Sequence, residues 1–526
     1  MPGRHLQKAF RGTEVKMIRV FINITGYEND IYPLVKAFYP EEEIKVIKAS
    51  DGQLAETEEQ PQKTSRIKHS IPVQEGSEAD TFELHVDFAG DIITISLSVE
   101  GISVKESSEV SSSLPKPQYK NAMKRFLYQI LSRAAGKELP WGILTGIRPT
   151  KLVYELLEQS VSEAGIHDRM KAEYYCSDAR IAMSIQIAAR EKELLEGMDY
   201  KNGFSLYIGI PFCPTTCLYC SFPSYSITKY KDLVEDYLTA LEKEIRFGAD
   251  CFPDKKLTAV YFGGGTPTTL TAGQLNRLLG IIKESFDFTH VKEFCVEAGR
   301  PDSITEEKLM VLKEQGVDRI SINPQSMQQK TLDLIGRKHT VEEVYRAFHQ
   351  ARAAGHQNIN MDIILGLPGE GPGELSDTLK QISSLNPDSL TVHTLALKRA
   401  ARLNAQKEAY ESMKASGVSE MLAETVSYAR EKHYLPYYLY RQKNMADNLE
   451  NIGYARYGRE GLYNILIMEE KQTILALGAG AMSKFVFHGE NRIERVDNVK
   501  SVTDYIGRID EMIVRKRTFM ENNPRR

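Results

Sequence analysis
The chain has 526 residues, 42% of them hydrophobic and 26% charged, with a formal net charge of −4. That length suits about three domains, the composition excludes a low-complexity chain, and the charge argues against nucleic acid or an anionic membrane surface as the main partner. Six cysteines in so long a chain exclude a disulfide scaffold, and no apolar run reaches the length of a membrane span.

The first residues, MPGRHLQKAFRGTEVKMIRVF, carry basic side chains but no apolar core before a cleavage site, so a secretory signal is excluded and a cytoplasmic location is expected. Residues 1–16 are expected to be disordered. Residues 17–140 read as a small α+β domain: a strand at 18–24, a short helix at 27–38, a polar loop over 50–79, a hairpin and a helix. One limb of the hairpin alternates Phe82, Leu84, Val86 and Phe88, and the other alternates Ile93, Ile95 and Leu97. The helix, 119–134, is amphipathic. Its Lys120, Lys124 and Arg125, with Arg148 beyond, are either solvated charge or a meeting place for an acidic ligand. Residues 141–204 read as a helical connector.

From 205 to 400, short apolar runs at 206–211, 258–262, 292–297, 318–323, 359–365 and 389–394 alternate with helical stretches at 229–248, 272–286, 305–315, 328–354 (broken near Gly336) and 373–384. Such alternation implies parallel strands joined by right-handed crossovers. Six units fall short of the eight of a closed barrel. The expected fold class is therefore α/β: a partial (β/α)6 barrel with a small α+β domain before it and a mixed α/β region, 401–526, closing the substrate site. In that last region a helix is expected at 417–433, a strand and a Gly478-Ala479-Gly480-Ala481 turn over 471–485, and a charged helix from 499. Tyr437, Tyr438, Tyr440 and Tyr454 either wall a flat aromatic ligand or pack as half-buried tyrosines.

In such folds ligands gather at the C-terminal ends of the strands, and the chemically distinctive residues sit there. Cys213, Cys217 and Cys220, spaced CxxxCxxC, follow the first strand. Gly263-Gly264-Gly265-Thr266-Pro267 follows the second. Glu297 ends the third, Asn323 and Gln325 the fourth, and Asp362 lies in the fifth, just before Gly366-Leu367-Pro368-Gly369. A four-iron cluster takes four thiolates; three on one loop leave one iron open to a small molecule carrying an amine and a carboxylate. Structural zinc would need a fourth ligand, and residues 200–230 hold no further cysteine and no histidine. Consecutive glycines let backbone approach a ligand that a Cβ would repel.

The segments IPFCPTTCLYCSF, YFGGGTP, CVEAGRP, RISINPQS, IGRKH and MDIILGLPGE, in this order, resemble the radical S-adenosylmethionine superfamily, and within it the oxygen-independent coproporphyrinogen III dehydrogenase-like family. The resemblance is strongest over 205–400, reaches LALGAGAMS at 475–483, and matches the longer branch with an added N-terminal domain. It implies a [4Fe–4S] cluster on Cys213, Cys217 and Cys220, with S-adenosylmethionine on its open iron. It implies that Tyr219 packs on the adenine. The backbone of Gly263, Gly264, Gly265 and Thr266, with Glu297, would meet the methionine ammonium. Gln325 and Asp362 would bond the ribose hydroxyls, and Arg337 the methionine carboxylate. Read on residue type alone, Glu297 and Gln325 equally suit helix caps, Arg337 a solvated helix end and Tyr219 core packing, whereas a charged Asp362 inside an apolar strand demands a partner.

The resemblance implies a radical oxidoreductase of haem biosynthesis. It would remove hydrogen from two propionates of coproporphyrinogen III, release carbon dioxide and leave vinyls, drawing electrons from a flavodoxin- or ferredoxin-type donor. Lys398, Arg399 and Arg402, and more weakly Arg441 and Lys443, are candidates for holding the tetrapyrrole carboxylates. Two positions depart from the dehydrogenase pattern: Gly209 stands for a histidine and Phe222 for a cysteine. A haem-binding or haem-delivery protein of the same family, or a radical enzyme for another tetrapyrrole, are the alternatives those departures leave.

Overall fold
The computed structural model describes residues 17–40, 42–48, 81–99, 102–146, 148–396, 415–441 and 449–523. The polar stretch 50–79 and the candidate cations Lys398, Arg399, Arg402 and Lys443 lie outside the described residues. The chain divides into two compact units, residues 1–149 with 158–184, and residues 150–157 with 185–526.

In the first unit, strands β1 (Met17–Ile22), β2 (Glu43–Lys48), β3 (Thr81–Ala89), β4 (Ile92–Val99) and β5 (Ile102–Glu109) form one sheet in the order β2-β1-β3-β4-β5. The first three are parallel and the β3-β4-β5 meander is antiparallel. Ile18, Val20 and Ile22 alternate inward from β1 and meet helices Glu28–Phe38 and Lys116–Ala135 in an apolar core containing Leu34, Met123 and Leu127. β2 and β5 extend the expected set of strands. The helix charges are engaged within the unit: Lys120 pairs with Asp30 at 2.6 Å and Arg125 donates to the Glu173 carbonyl.

The second unit is built on one open sheet with eleven described strands. Six parallel strands stand where the sequence places them: β6 (Gly203–Ile210), β9 (Lys256–Gly264), β10 (Glu293–Glu297), β11 (Arg319–Ser321), β12 (Ile359–Leu365) and β13 (Ser389–Thr394). β7 (Phe212–Cys213) and β8 (Tyr225–Ser226) are a separate two-stranded pair flanking the cysteine loop. The connecting helices begin with caps written in the sequence: Thr271 with Gln274, and Thr340 with Glu343, are reciprocal capping boxes. A seventh parallel strand, β16 (Thr473–Leu477), joins the outer side of β6. Antiparallel strands continue both edges: β15 (Asn451–Ala455) and β14 (Leu435–Tyr440) beyond β13, and β17 (Met482–Phe487) and β18 (Arg492–Asp497) beyond β16.

The short helix Leu462–Glu469 occupies the lumen. Its first amides, Leu462 N and Tyr463 N, donate to the two oxygens of Glu293 at 2.8 and 3.0 Å, as suits a carboxylate at a helix start. Among the described residues no helix is long and apolar enough to cross a membrane.

Candidate functional site
Side chains of neighbouring strands in register share one face, and residues two apart along a strand do too. Tyr207, Tyr261, Cys295 and Arg319 are register partners across β6, β9, β10 and β11. One step toward the strand ends, Glu297, Ser321 and Asn360 are partners, and beyond them Asp362 pairs with Thr391. All of these line a single cavity of about 710 Å³ inside the curled sheet, and Cys213, Cys217, Tyr219, Cys220, Gly264, Gly265, Thr266, Gln325 and Arg337 line it too. One lumen thus gathers the cysteines, the glycine turn and the strand-end polar residues.

The cysteine loop is held from three directions. The Gly265 and Thr266 amides donate to the carbonyls of Ile210 and Phe212, both at 2.7 Å. Gly265 has to be glycine: a Cβ there would stand 2.6 Å from the Phe212 oxygen and 3.0 Å from Cys213 Sγ. The loop's far side binds the IGRKH segment, through Leu218 N to the Ile335 carbonyl and Thr215 Oγ1 to the Gly336 carbonyl. The third tether is Arg300, which is 3% exposed. Its NH1 reaches Thr215 Oγ1 at 3.1 Å and Cys217 Sγ at 3.5 Å, while Nε and NH2 grip both oxygens of Asp302.

Two thiols therefore have donors in place, Thr266 Oγ1 lying 3.5 Å from Cys213 Sγ. Burial pushes the Cys213 thiol up to about 11, so it keeps its proton until a metal displaces it. Among the described residues no three His, Cys, Asp or Glu side chains converge as ligands of one ion, as structural zinc requires. Ligands to separate corners of an iron–sulfur cube need no such convergence.

The remaining residues divide between those that await a partner and those already engaged. Ser321, Asn323 and Gln325 alternate along one face of the cavity lining, are each at least nine-tenths buried, and have Oγ, Oδ1 and Oε1 without a hydrogen bond. Buried acceptors of this kind are costly unless a ligand satisfies them. Gln325 also has a left-handed backbone, φ 68°, locked by its N–H to the Asp362 carbonyl and its carbonyl to Ile364 N. Strain held this firmly is characteristic of sites.

Asp362 receives Asn360 Nδ2 at 2.6 Å and stands 3.6 Å from His393 Nε2, with Tyr440 OH 3.4 Å from the other ring nitrogen. Glu297 accepts Tyr261 OH at 2.5 Å, and burial, reinforced by Asp362, pushes its carboxyl up to about 7. Gly263 does not line the cavity; a Cβ on it would come within 3.2 Å of the Glu297 carboxyl, so this glycine makes room for Glu297.

Arg337 is buried, not solvated: NH2 donates to the carbonyls of Gly299 and Asn323 and NH1 to Tyr219 OH, leaving Nε without a partner. Tyr219 both lines the cavity and packs on Leu332, Ile335, Ile364 and Leu367. Of the four C-terminal tyrosines, Tyr438 and Tyr440 face the cavity and Tyr437 and Tyr454 are buried beside it. Arg441 is buried and lies outside the cavity lining.

Sequence reasoning did not single out Arg300, His393, Lys484, Arg495 or the stacked rings of Tyr207, Tyr261 and Tyr463, the last two 4.4 Å apart. The lone polar residues of β12, Asn360 and Asp362 in INMDIIL, are the one local signal that this face is a lumen.

The Radical SAM superfamily profile matches residues 207–382. The chain is 42% identical over 439 residues to the oxygen-independent coproporphyrinogen-III oxidase-like protein HemZ of Bacillus subtilis (strain 168), covering 82% of this chain and 88% of that one. It is 32% identical over 312 residues to the heme chaperone HemW of the same organism, covering 58% and 76%. Among solved structures, coproporphyrinogen III oxidase (HemN) from Escherichia coli is 26% identical with a TM-score of 0.49, over 59% of this chain and 70% of that one. The chain belongs to the radical SAM superfamily, in its oxygen-independent coproporphyrinogen III oxidase-like family, and takes that superfamily's cofactors, a [4Fe–4S] cluster and S-adenosylmethionine.

Proposed function
We propose that this protein carries out the oxygen-independent oxidative decarboxylation of coproporphyrinogen III. Two propionates each give a hydrogen atom to the abstracting radical, release carbon dioxide and pass one electron to an external one-electron acceptor, leaving the vinyls of protoporphyrinogen IX. The observation that carries the reading is the single lumen, whose lining gathers the three cysteines, a row of residues with unsatisfied buried acceptors, tyrosines and cations. When bound, the cofactors supply a reducing electron and a hydrogen-abstracting 5′-deoxyadenosyl radical.

In this reading Cys213, Cys217 and Cys220 hold the cluster. The Gly264–Thr266 backbone and ionised Glu297 receive the methionine ammonium, Gln325 Oε1 and Asp362 the ribose hydroxyls, and Arg337 offers Nε to the carboxylate. Tyr219 gives the adenine an apolar face. Tyr207, Tyr261 and Tyr438 exclude water around the reacting side chain. A flavodoxin- or ferredoxin-type protein is the electron donor.

The test is anaerobic: reconstitute the cluster, add dithionite, S-adenosylmethionine and coproporphyrinogen III, oxidise, and look for protoporphyrin. 5′-Deoxyadenosine without protoporphyrin would move the assignment to another tetrapyrrole. Tight haem binding with neither product would move it to haem delivery, the reading that Phe222, 64% exposed at the cavity, favours.

A further inference from the structure
We propose that Lys484 and Arg495 form the wall of this cavity that grips the carboxylate side chains of a macrocyclic ligand, with Phe222 and Met482 of the same lining as its apolar lip. The proposal rests on the tetrapyrrole reading above and adds to it the side chains that select the substrate.

β17 and β18 carry the lumen wall past β16. Ile474 is the register partner of Lys484, and Lys484 of Arg495, so the two cations are cross-strand neighbours, and both line the cavity. They already converge on a carboxylate: Lys484 Nζ stands 3.0 Å and Arg495 NH2 3.2 Å from the same oxygen, Glu470 Oε1. Glu470 follows the lumen helix with a left-handed backbone, φ 52°. Lys484 Nζ also donates to the Ile467 carbonyl at 3.2 Å, and the spacing of the two cations is already that of a carboxylate grip.

The other cavity arginines are committed elsewhere. Arg300 holds Asp302 and the cysteine loop, Arg337 the Gly299 and Asn323 carbonyls, and Arg319 the Asn358 side chain and the Arg459 carbonyl. Lys484 lies inside the wall and Arg495, 50% exposed, reaches solvent, as a graded entry for an anionic edge requires.

The same cavity lining leaves two large apolar side chains in water, Phe222 at 64% and Met482 at 48% exposure. The turn before Met482 packs on the residue after Phe222, since a Cβ on Gly480 would sit 3.5 Å from Pro223. An apolar lip beside a cationic wall fits a ligand with an apolar body and carboxylate edges.

The test uses the full-length, anaerobically reconstituted protein and two fluorescent probes: coproporphyrin III, and octaethylporphyrin, the same ring without carboxylates. Lys484→Met and Arg495→Met should each weaken coproporphyrin binding about tenfold, the loss of one charge-assisted hydrogen bond, and leave octaethylporphyrin binding unchanged. Glu470→Gln, which removes the carboxylate the two cations share, should tighten coproporphyrin binding. Should either methionine variant be insoluble, Glu470→Gln decides alone: tighter binding supports the wall, unchanged binding overturns it. Wild-type binding of coproporphyrin with no effect of any variant would overturn this inference and leave the tetrapyrrole reading standing; failure of the wild type to bind either ring would remove that reading itself.

Discussion

Replacing Arg300 with glutamine removes a buried guanidinium whose NH1 is 3.5 Å from Cys217 Sγ, while the loop keeps its glycine-turn and IGRKH tethers. A donor aimed at a cluster sulfur favours the reduced, more negative state. At this distance the bond is at the weak end, and Asp302, gripping the other side of the guanidinium, damps its charge. A net preference of about 1 kcal/mol is the reasonable scale. For a one-electron couple, where tenfold is 59 mV, that is about 40 mV. The Arg300→Gln holoprotein should therefore show a midpoint about 40 mV more negative in an EPR-monitored redox titration, with Arg300→Lys in between. Asp302→Asn, which removes the damping charge, should move the midpoint the other way. A pure loop-tethering role would lower iron content without moving the potential. An unchanged midpoint in Arg300→Gln at full iron content would refute the reasoning.

Gly265→Ala should abolish cluster assembly and lower solubility, because the new methyl meets the Phe212 carbonyl at 2.6 Å; iron and sulfide analysis after anaerobic reconstitution checks this. With Glu297 in its proposed place at the methionine ammonium and its carboxyl pushed up to about 7, S-adenosylmethionine binding should strengthen from pH 6 to pH 8; calorimetric titration should find that dependence lost in Glu297→Gln. The same shift has a stability sign. Glu297 and Glu293, both raised to about 7, hold protons that the unfolded chain releases near 4.5, so their contribution is full below pH 4.5 and is lost as pH rises to about 7. Melting temperatures of the cofactor-free protein should fall across that window, and less steeply in Glu297→Gln. Lys516→Met, which strands the buried Glu244 carboxylate, should cost about 3–5 kcal/mol, read by urea denaturation.

The six central parallel strands of the second unit were legible because they are largely buried on both faces and read as apolar runs closed by glycine or polar residues. β16 has the same character, TILAL with every residue buried, but its pairing with β6 spans some 270 residues of chain and no local feature announces it. β5 was missed for the opposite reason: ISVKESSE is a polar edge strand with an exposed face. In the site, cysteines, a triple glycine and an aspartate in an apolar strand are rare enough to stand out singly. Tyr207 and Tyr261 are not, since tyrosine is an ordinary strand former, and only the register brings them to one lumen. Arg300 has meaning only beside Cys217, 83 positions earlier in the chain, and Lys484 only beside Glu470.

The C-terminal segment does more than extend the sheet. Lys516, from the last described helix, reaches Glu244 Oε1 at 2.7 Å, and Glu244 also accepts from Asn498 Nδ2, from Tyr505 OH and from the amide of Gly478. Tyr237 OH meanwhile donates to the Gly209 carbonyl at 2.6 Å and accepts from Ala479 N. Gly478 itself has no room for a side chain, since a Cβ would lie 2.5 Å from the Gly209 oxygen. A fully satisfied, solvent-free polar network is rigid in a way that apolar packing is not. It fixes the end of β6 four residues before Cys213, where a small displacement would propagate directly to the cluster ligands. The same approach does not explain the glycine at 209, where a Cβ would meet nothing nearer than the Leu477 carbonyl and the Tyr207 ring, both at 3.4 Å, an ordinary contact distance. Gly478→Ala should therefore lower cluster content by displacing the Gly209 carbonyl, while Gly209→Ala should keep it; iron and sulfide analysis after anaerobic reconstitution checks both.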